Sequence, residues 1–303
     1  MPTIPAGARV AVRVPASSAN LGPGFDSVGI ALGVWDECTV TVTDRPGVRI
    51  EVTGEGAGAV PLDETHLVVR TLYAAWSEQG LTPPAGLELH CVNAVPHGRG
   101  MGSSATAIVT GIVAAQALAQ ADKVDLAAAN DLANRLEGHP DNASASIYGG
   151  LTLSWSDLPG EPGTTHTARP TLHPDLDVVV FVPDVQLSTA RARSVLPTQV
   201  RLADAAANAA RVGLLVHAVT HDPGLLLPAT RDYLHQEPRR RSYADSMALV
   251  DRLRGEGHAA VISGAGPSVL VLTTRERVPE VTADPSWRRL TPGVPAHGAH
   301  LVG

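Results

Sequence analysis

Pro96-His97-Gly98-Arg99-Gly100-Met101-Gly102-Ser103-Ser104-Ala105-Thr106 stands between two structural periods. Before it, Leu87-Glu88-Leu89-His90-Cys91-Val92 alternates apolar with polar or small residues, as a half-buried strand does. After it, Ala105, Ile108, Val109, Ile112, Val113 and Leu118 recur at helical spacing. The three glycines therefore form a loop that empties into a helix N-terminus. Such a terminus carries unpaired N–H groups and partial positive charge, and it attracts phosphate. Glycine lets the backbone approach an anion closely and adopt φ > 0. Two readings stay open on these residues alone: a tight turn with serine caps, and an anion cradle. No Gly-Lys-Ser/Thr follows the glycines, so this is not a Walker A loop. A phosphate held here is held without the usual lysine.

The chain around the loop has 303 residues, enough for a large core and two lobes. Hydrophobic residues make up 44%, which fits a globular chain and excludes a disordered one. A formal net charge of -7 argues against nucleic acid or an anionic membrane surface as the main partner. No uninterrupted apolar run approaches the roughly 18–20 residues that span a bilayer, and Met1 to Arg13 lacks the apolar stretch of a signal peptide. The expectation is a cytoplasmic protein. Cys38 and Cys91, the only cysteines, each fall in a strand-like segment and read as buried free thiols.

Two further glycine-rich turns flank the first. Ala8 to Val14 reads as a strand that leads into Pro15-Ala16-Ser17-Ser18-Ala19-Asn20-Leu21-Gly22-Pro23-Gly24-Phe25-Asp26. Ala259 to Ile262 leads into Ser263-Gly264-Ala265-Gly266-Pro267-Ser268, and Val269 to Thr273 follows as a strand. Further strands are expected at 28–34, 38–42, 48–52, 151–155 and 177–183. Helices are expected at 67–78, 104–119, 126–136, 201–220 and 245–255, with a short one at 143–147. From Asp157 to Pro174 the composition shifts to Pro, Gly and Thr, which divides the chain into lobes 1–156 and 157–303. Strands and helices mix without strict βαβα alternation. That favours an α+β fold with helices on antiparallel sheets.

Several residues could carry chemistry. Glu137 ends a helix beside His139, Asp141 and Asn142. It is either a surface glutamate or a Mg²⁺ ligand, since Mg²⁺ takes oxygen donors from one or two carboxylates plus phosphate. A serine from Gly102-Ser103-Ser104 could complete that shell, while His139, followed by proline, reads as a turn former. Asp26 either caps its turn or binds a polar substrate, and Asn20 is similar. The arginines of Arg191/Arg193 and Arg239/Arg240/Arg241 are solvated surface, or a pair that grips a carboxylate bidentately. Gly-x-Ser-x-Gly is missing, and neither cysteine has a protease signature, which argues against hydrolase triad chemistry.

Taken together, the motifs resemble the GHMP kinase superfamily and, within it, the homoserine kinases. Pro96–Thr106 resembles the superfamily's Pro-x-x-x-Gly-Leu-Gly-Ser-Ser-Ala phosphate loop, with Met101 in the leucine slot. Pro15–Asp26 is similar to the first homoserine kinase motif, Glu137-Gly138-His139-Pro140-Asp141-Asn142 to the middle one, and Ser263–Ser268 to the third superfamily motif.

The resemblance implies a two-lobed α+β fold, with an N-terminal lobe like ribosomal protein S5 domain 2 and a C-terminal α/β-sandwich lobe. It implies ATP-dependent phosphorylation of the L-homoserine hydroxyl, giving O-phospho-L-homoserine for threonine synthesis, with ATP and Mg²⁺. Pro96, His97, Gly98, Arg99, Gly100, Met101, Gly102, Ser103, Ser104, Ala105 and Thr106 would wrap the ATP phosphates, with His66 near the adenine where the family has Asn. Ser104 and Glu137 would meet Mg²⁺. Asn20, Asp26 and Asn142 would bind the homoserine amino and hydroxyl end, with Thr189, Arg193 and Gly264 beside them. Asp26, Glu137 and Arg193 would stand closest to the reaction. Arg240 would clamp the substrate carboxylate. Because Glu237-Pro238-Arg239-Arg240-Arg241 replaces the family's Glu-Pro-Tyr-Arg, Arg239 and Arg241 stay open for that role. Another GHMP kinase acting on mevalonate or shikimate, and a catalytically silent nucleotide-binding regulator, are the rival readings. No nucleic acid or membrane partner is expected, and a homodimer is left open.

Overall fold

A computed structural model describes residues 4–120, 123–157 and 164–303. Its first sheet is built on a hairpin of two long strands, β1 (Arg9–Asn20) and β2 (Gly24–Thr43). β3 (Gly47–Gly54) and β4 (Gly86–Asn93) extend it beyond β2, and these two run parallel to each other. β5 (Leu151–Ser156) pairs with the Val28–Ile30 end of β2, and β6 (Thr165–Ala168) pairs with β5. The second sheet has the order β10-β7-β9-β8, from β7 (Leu176–Val182), β8 (Ala259–Ile262), β9 (Val269–Thr274) and β10 (Arg288–Leu290). β11 (His300–Val302) then returns to the first sheet and pairs with β1. Sheets thus do not divide at 156/157: β6 and β11 belong to the first sheet, because β5 and β1 offer them unpaired edges. The excursion expected at 157–174 lies partly outside the described residues, at 158–163.

Helices cover one face of the first sheet. α1 (Leu67–Glu78) and α2 (Ser103–Gln120) pack on it together with α3 (Leu126–Glu137) and α4 (Asp141–Tyr148). The core there joins Val12, Val40 and Leu89 of the strands to Val69, Leu72, Val109 and Ile112 of the helices. α2 corrects one expectation, since its 18 residues are long and apolar enough to cross a membrane by composition. Two-thirds of it is buried inside the protein, so the apolar surface is used as core. Cys38 and Cys91 face each other across β2 and β4 as buried free thiols, 3.2 Å between sulfurs.

The second sheet is covered on both faces. α5 (Thr189–Ser194), α6 (Leu202–Thr220) and the single turns α7 (Leu226–Ala229) and α8 (Gln236–Arg239) precede α9 (Ala244–Gly255). Along β7, Val178, Val180 and Val182 turn toward α6, while Val179 and Phe181 turn toward α9. The core under α6 continues into the first sheet through Ala16, Leu21, Val28, Ile30, Leu32 and Met101. One packed unit therefore runs from the tip of the β1–β2 hairpin to the second sheet, and the three glycine loops meet along it.

Candidate active site

The loop between β4 and α2 has φ of +64° at Gly98, +74° at Gly100 and +72° at Gly102. Left-handed glycines alternating with ordinary residues make a backbone concavity that favours anions. Substitution is closed off sterically as well. A Cβ on Gly100 would lie 2.3 Å from the Ser263 carbonyl oxygen, and one on Gly102 would lie 2.2 Å from Ser17 Oγ. The third glycine loop braces the first: Ser263 Oγ donates to Gly100 O (2.6 Å), and Ser268 N donates to Arg99 O (3.2 Å). From behind, buried Asp36 accepts the N–H groups of Ala94 (2.7 Å) and Val95 (2.9 Å), which fixes the chain as it leaves β4. Burial pushes this carboxyl up to about 6, against those two bonds.

The loop opens on a cavity of about 160 Å³. The α2 side of it carries Ser103 and Ser104, and Ser104 Oγ donates to Glu137 Oε2 at 3.1 Å. Burial pushes Glu137 above its usual carboxylate range, although His139 and the Ser104 bond pull it down. His139 Nδ1 lies 3.1 Å from Asp141 Oδ1. Burial lowers the His139 pKa, but the Asp141 bond and charge outweigh it and leave the imidazole raised. The β1–β2 turn forms the opposite wall. Asn20 Nδ2 donates to Gly264 O (3.0 Å), and Asn20 Oδ1 accepts from Asp26 N (3.0 Å). Asn20 (φ +71°), Leu21 (+46°) and Asp26 (+55°) are left-handed without being glycine. Asn and Asp tolerate that region and leucine does not, so the surrounding contacts over-determine this turn.

Of the five arginines open to a clamp role, Arg191 and Arg241 are exposed and do not line the cavity. Arg193, from α5, donates to Asp26 Oδ1 (2.5 Å) and Oδ2 (3.1 Å), so its charge is already met. Arg239, from α8, is 1% exposed yet lines the cavity. Its Nε donates to Ala192 O (2.9 Å) and its Nη1 to His235 Nδ1 (3.1 Å). No carboxylate pairs with it among the described residues. Arg240 points outward to Glu237 and Asp251.

Residues 66–150 match the GHMP kinases N terminal domain, and residues 214–284 match the GHMP kinases C terminal domain. The homoserine kinase of Streptomyces coelicolor is 49% identical over 300 residues, covering 97% of this chain and 95% of that one. The homoserine kinase of Cutibacterium acnes is 50% identical over 275 residues, covering 90% and 92%. The chain belongs to the homoserine kinase family of GHMP kinases. A crystal structure of the homoserine kinase from Cytophaga hutchinsonii superposes over the whole of both chains, with a TM-score of 0.81 at 25% identity.

For this homoserine kinase family member, the cavity brings together Asn20, Asp26, Gly98, Gly100, Gly102, Ser103, Ser104, Glu137, Asn142, Thr189, Arg193 and Gly264 of the expected residues. Others are turned elsewhere. Arg99 spends its guanidinium on the carbonyls of Pro183, Asp184 and His97 and so ties loops together. Ala105 and Thr106 face the core, and the Thr106 hydroxyl donates to Gly102 O (2.9 Å). Met101 is buried among the apolar residues beneath the loop. Pro96, His97 and His66 do not line the cavity. His66 lies buried ahead of α1, its Nδ1 without a partner among the described residues, and burial, with His97 nearby, lowers its pKa.

Arg240, where the resemblance places a clamp, is turned away from the cavity toward Glu237 and Asp251. One residue advances a helical turn by roughly 100°, so only one of two neighbouring arginines can face inward. α8 gives that place to Arg239. Phe25, His139, Asp141 and Arg239 also line the cavity. Of these, His139 was legible only as a turn former and Phe25 carried no polar signal.

Proposed function

We propose that this cavity transfers the γ-phosphoryl group of ATP to the side-chain hydroxyl of L-homoserine. The observation that carries the reading is Arg239, a buried cation with no carboxylate partner among the described residues, in the same cavity as the glycine concavity. A buried unpaired charge is costly unless an anion meets it. The glycine loop offers N–H groups to phosphate, and Arg239 offers its remaining donors to a planar carboxylate. Asn20, Asp26 and Asn142 supply polar oxygens on the acceptor side, where an ammonium and a hydroxyl would be held.

Phosphoryl transfer needs positioning and charge neutralisation more than covalent chemistry. N–H groups at the start of α2 meet charge on the γ-phosphoryl oxygens. Ser104 and Glu137 are both oxygen donors, already within hydrogen-bond reach of each other, and the carboxylate is desolvated, so they suit Mg²⁺. When bound, Mg²⁺ would neutralise phosphate charge and orient the chain of phosphates. Asp26 has both oxygens engaged by Arg193, which suits it to hold the acceptor and leaves it poorly placed as a strong base. Thr189 and Gly264 close the acceptor end.

ADP release measured with homoserine, mevalonate, shikimate and galactose as acceptors tests the proposal. Turnover with homoserine at least a hundredfold above the others is expected. Preference for another acceptor, or ATP binding without turnover on any, overturns it.

A further inference from the structure

We propose that His235 is a positioning residue for the acceptor, fixing the Arg239 guanidinium by staying a neutral imidazole with its proton on Nε2. The inference rests on the reading of Arg239 as the carboxylate clamp.

The two ring nitrogens have partners that settle the proton count. Nε2 lies 2.7 Å from Gly22 O, a carbonyl that can only accept. Nδ1 lies 3.1 Å from Arg239 Nη1, a guanidinium nitrogen that can only donate. Both bonds hold together only with a proton on Nε2 and a bare lone pair on Nδ1. Burial also disfavours the imidazolium, since His235 is 1% exposed and its pKa is lowered by desolvation. The nearest acid, Asp232, lies 3.7 Å from Nε2. Its oxygens are already taken by the N–H groups of Leu234 (2.9 Å), His235 (3.0 Å) and Gln236 (2.7 Å). The ring plane is set by Phe25, stacked at 5.0 Å and 25°.

The consequence falls on the acceptor. Arg239 is held at two points, Ala192 O and His235 Nδ1, and its guanidinium lies 5.4 Å over the Phe25 ring. Removing the His235 point leaves one hydrogen bond about which the guanidinium can turn. His235 also reaches Gly22 O, in the turn that carries Asn20 and Asp26. That bond anchors the ring, so that Nδ1 is presented to Arg239 in one orientation.

A buried core histidine would only stabilise the fold, and the test separates the two roles. Homoserine and homoserinol, in which a hydroxymethyl group replaces the carboxylate, are compared as acceptors for wild type, His235→Ala, His235→Gln, Arg239→Gln and the double variant. His235→Ala is expected to raise the homoserine KM about 10- to 30-fold, the size of a charged hydrogen bond. The ATP KM should stay within about twofold, and homoserinol kcat/KM within about threefold. Added to Arg239→Gln, His235→Ala should cost nothing more, because both act through one contact. Equal losses on homoserine and homoserinol, or an ATP KM that moves in step, overturn the inference. Nitrogen NMR of the wild-type imidazole at pH 7 is an independent reading: the Nδ1–H tautomer or an imidazolium also overturns it. If His235→Ala does not fold, His235→Gln and the NMR reading decide. Unchanged homoserine KM in Arg239→Gln sinks the clamp itself, whereas an effect of Arg239 without one of His235 sinks only the positioning role.

Discussion

Asp26 and Arg193 close a bidentate ion pair, 2.5 and 3.1 Å long, across 167 residues of chain. The pair joins the β1–β2 turn to α5, and both residues line the cavity. Asp26→Asn keeps the shape and removes the charge that an ammonium would meet. The expected outcome is a homoserine KM raised about 10- to 100-fold with a smaller change in kcat, as for lost uniform binding. Steady-state kinetics with both substrates varied checks it, and a large kcat loss at unchanged KM would sink the assignment.

Arg239 and Arg240 differ by one position and should differ sharply in effect. Arg239→Gln should raise the homoserine KM about 100-fold while the ATP KM stays within about threefold, because a bidentate guanidinium contact is lost. Arg240→Ala opens exposed ion pairs to Glu237 and Asp251, and should move neither KM by more than about twofold. The opposite ranking would return the clamp to Arg240.

Glu137 gives a pH dependence with a definite sign. Its pKa is raised by burial, so the carboxyl takes up its proton at a higher pH than an ordinary glutamate. Metal binding needs the carboxylate. Turnover should therefore fall as pH drops through that raised pKa, and excess Mg²⁺ should move the limb to lower pH. Glu137→Gln should lose at least about 100-fold in kcat and lack this limb. A wild-type rate and Mg²⁺ response in that variant would remove Glu137 from the metal.

Asp36 makes a separate prediction about stability. Its pKa is raised from 3.8 to about 6, so the folded state favours the protonated carboxyl. The contribution of this group to stability is fully present below pH 3.8 and is lost as pH rises through 6. Charging the buried group costs on the order of 3 kcal/mol above that window. Asp36→Asn keeps an acceptor for Ala94 and Val95 without the charge. In urea unfolding at pH 4.5 and pH 8, the variant should gain on wild type as pH rises. A pH-independent difference would contradict the shift.

Much of this arrangement is written locally in the chain. Leu67 to Glu78 has helical spacing and forms α1 over those residues. The glycine loop and the helix after it follow from a change of period. β2 was less legible, since Trp35, Asp36 and Glu37 break its apolar run and suggest two strands, yet it passes through them unbroken. Asp36 is tolerated there because the backbone at 94–95 satisfies it. Within the site, Asn20, Asp26, Ser104 and Glu137 stand in recognisable motifs and do meet around one cavity. Arg239 could not be separated from Arg240 and Arg241, because three adjacent arginines are chemically alike. The phase of a single turn, set by packing against Phe25 and His235, decides between them. Arg99 likewise reads as a phosphate ligand until the carbonyls of Pro183 and Asp184 come within its reach.

The core beneath α6 is assembled from both sheets, with Leu21, Ile30 and Met101 from one side and Val178, Val180 and Leu270 from the other. β11 stitches the far end of the chain back onto β1. Each sheet also has a core under its own helices, but this one belongs to both, so the two should melt in one cooperative transition. Acceptor preference in this architecture is therefore not a transplantable module: exchanging one half for that of a relative would break a shared interior as well as a pocket. New specificity has to arise by substitution in place, at side chains such as Arg239 whose surroundings already hold them still.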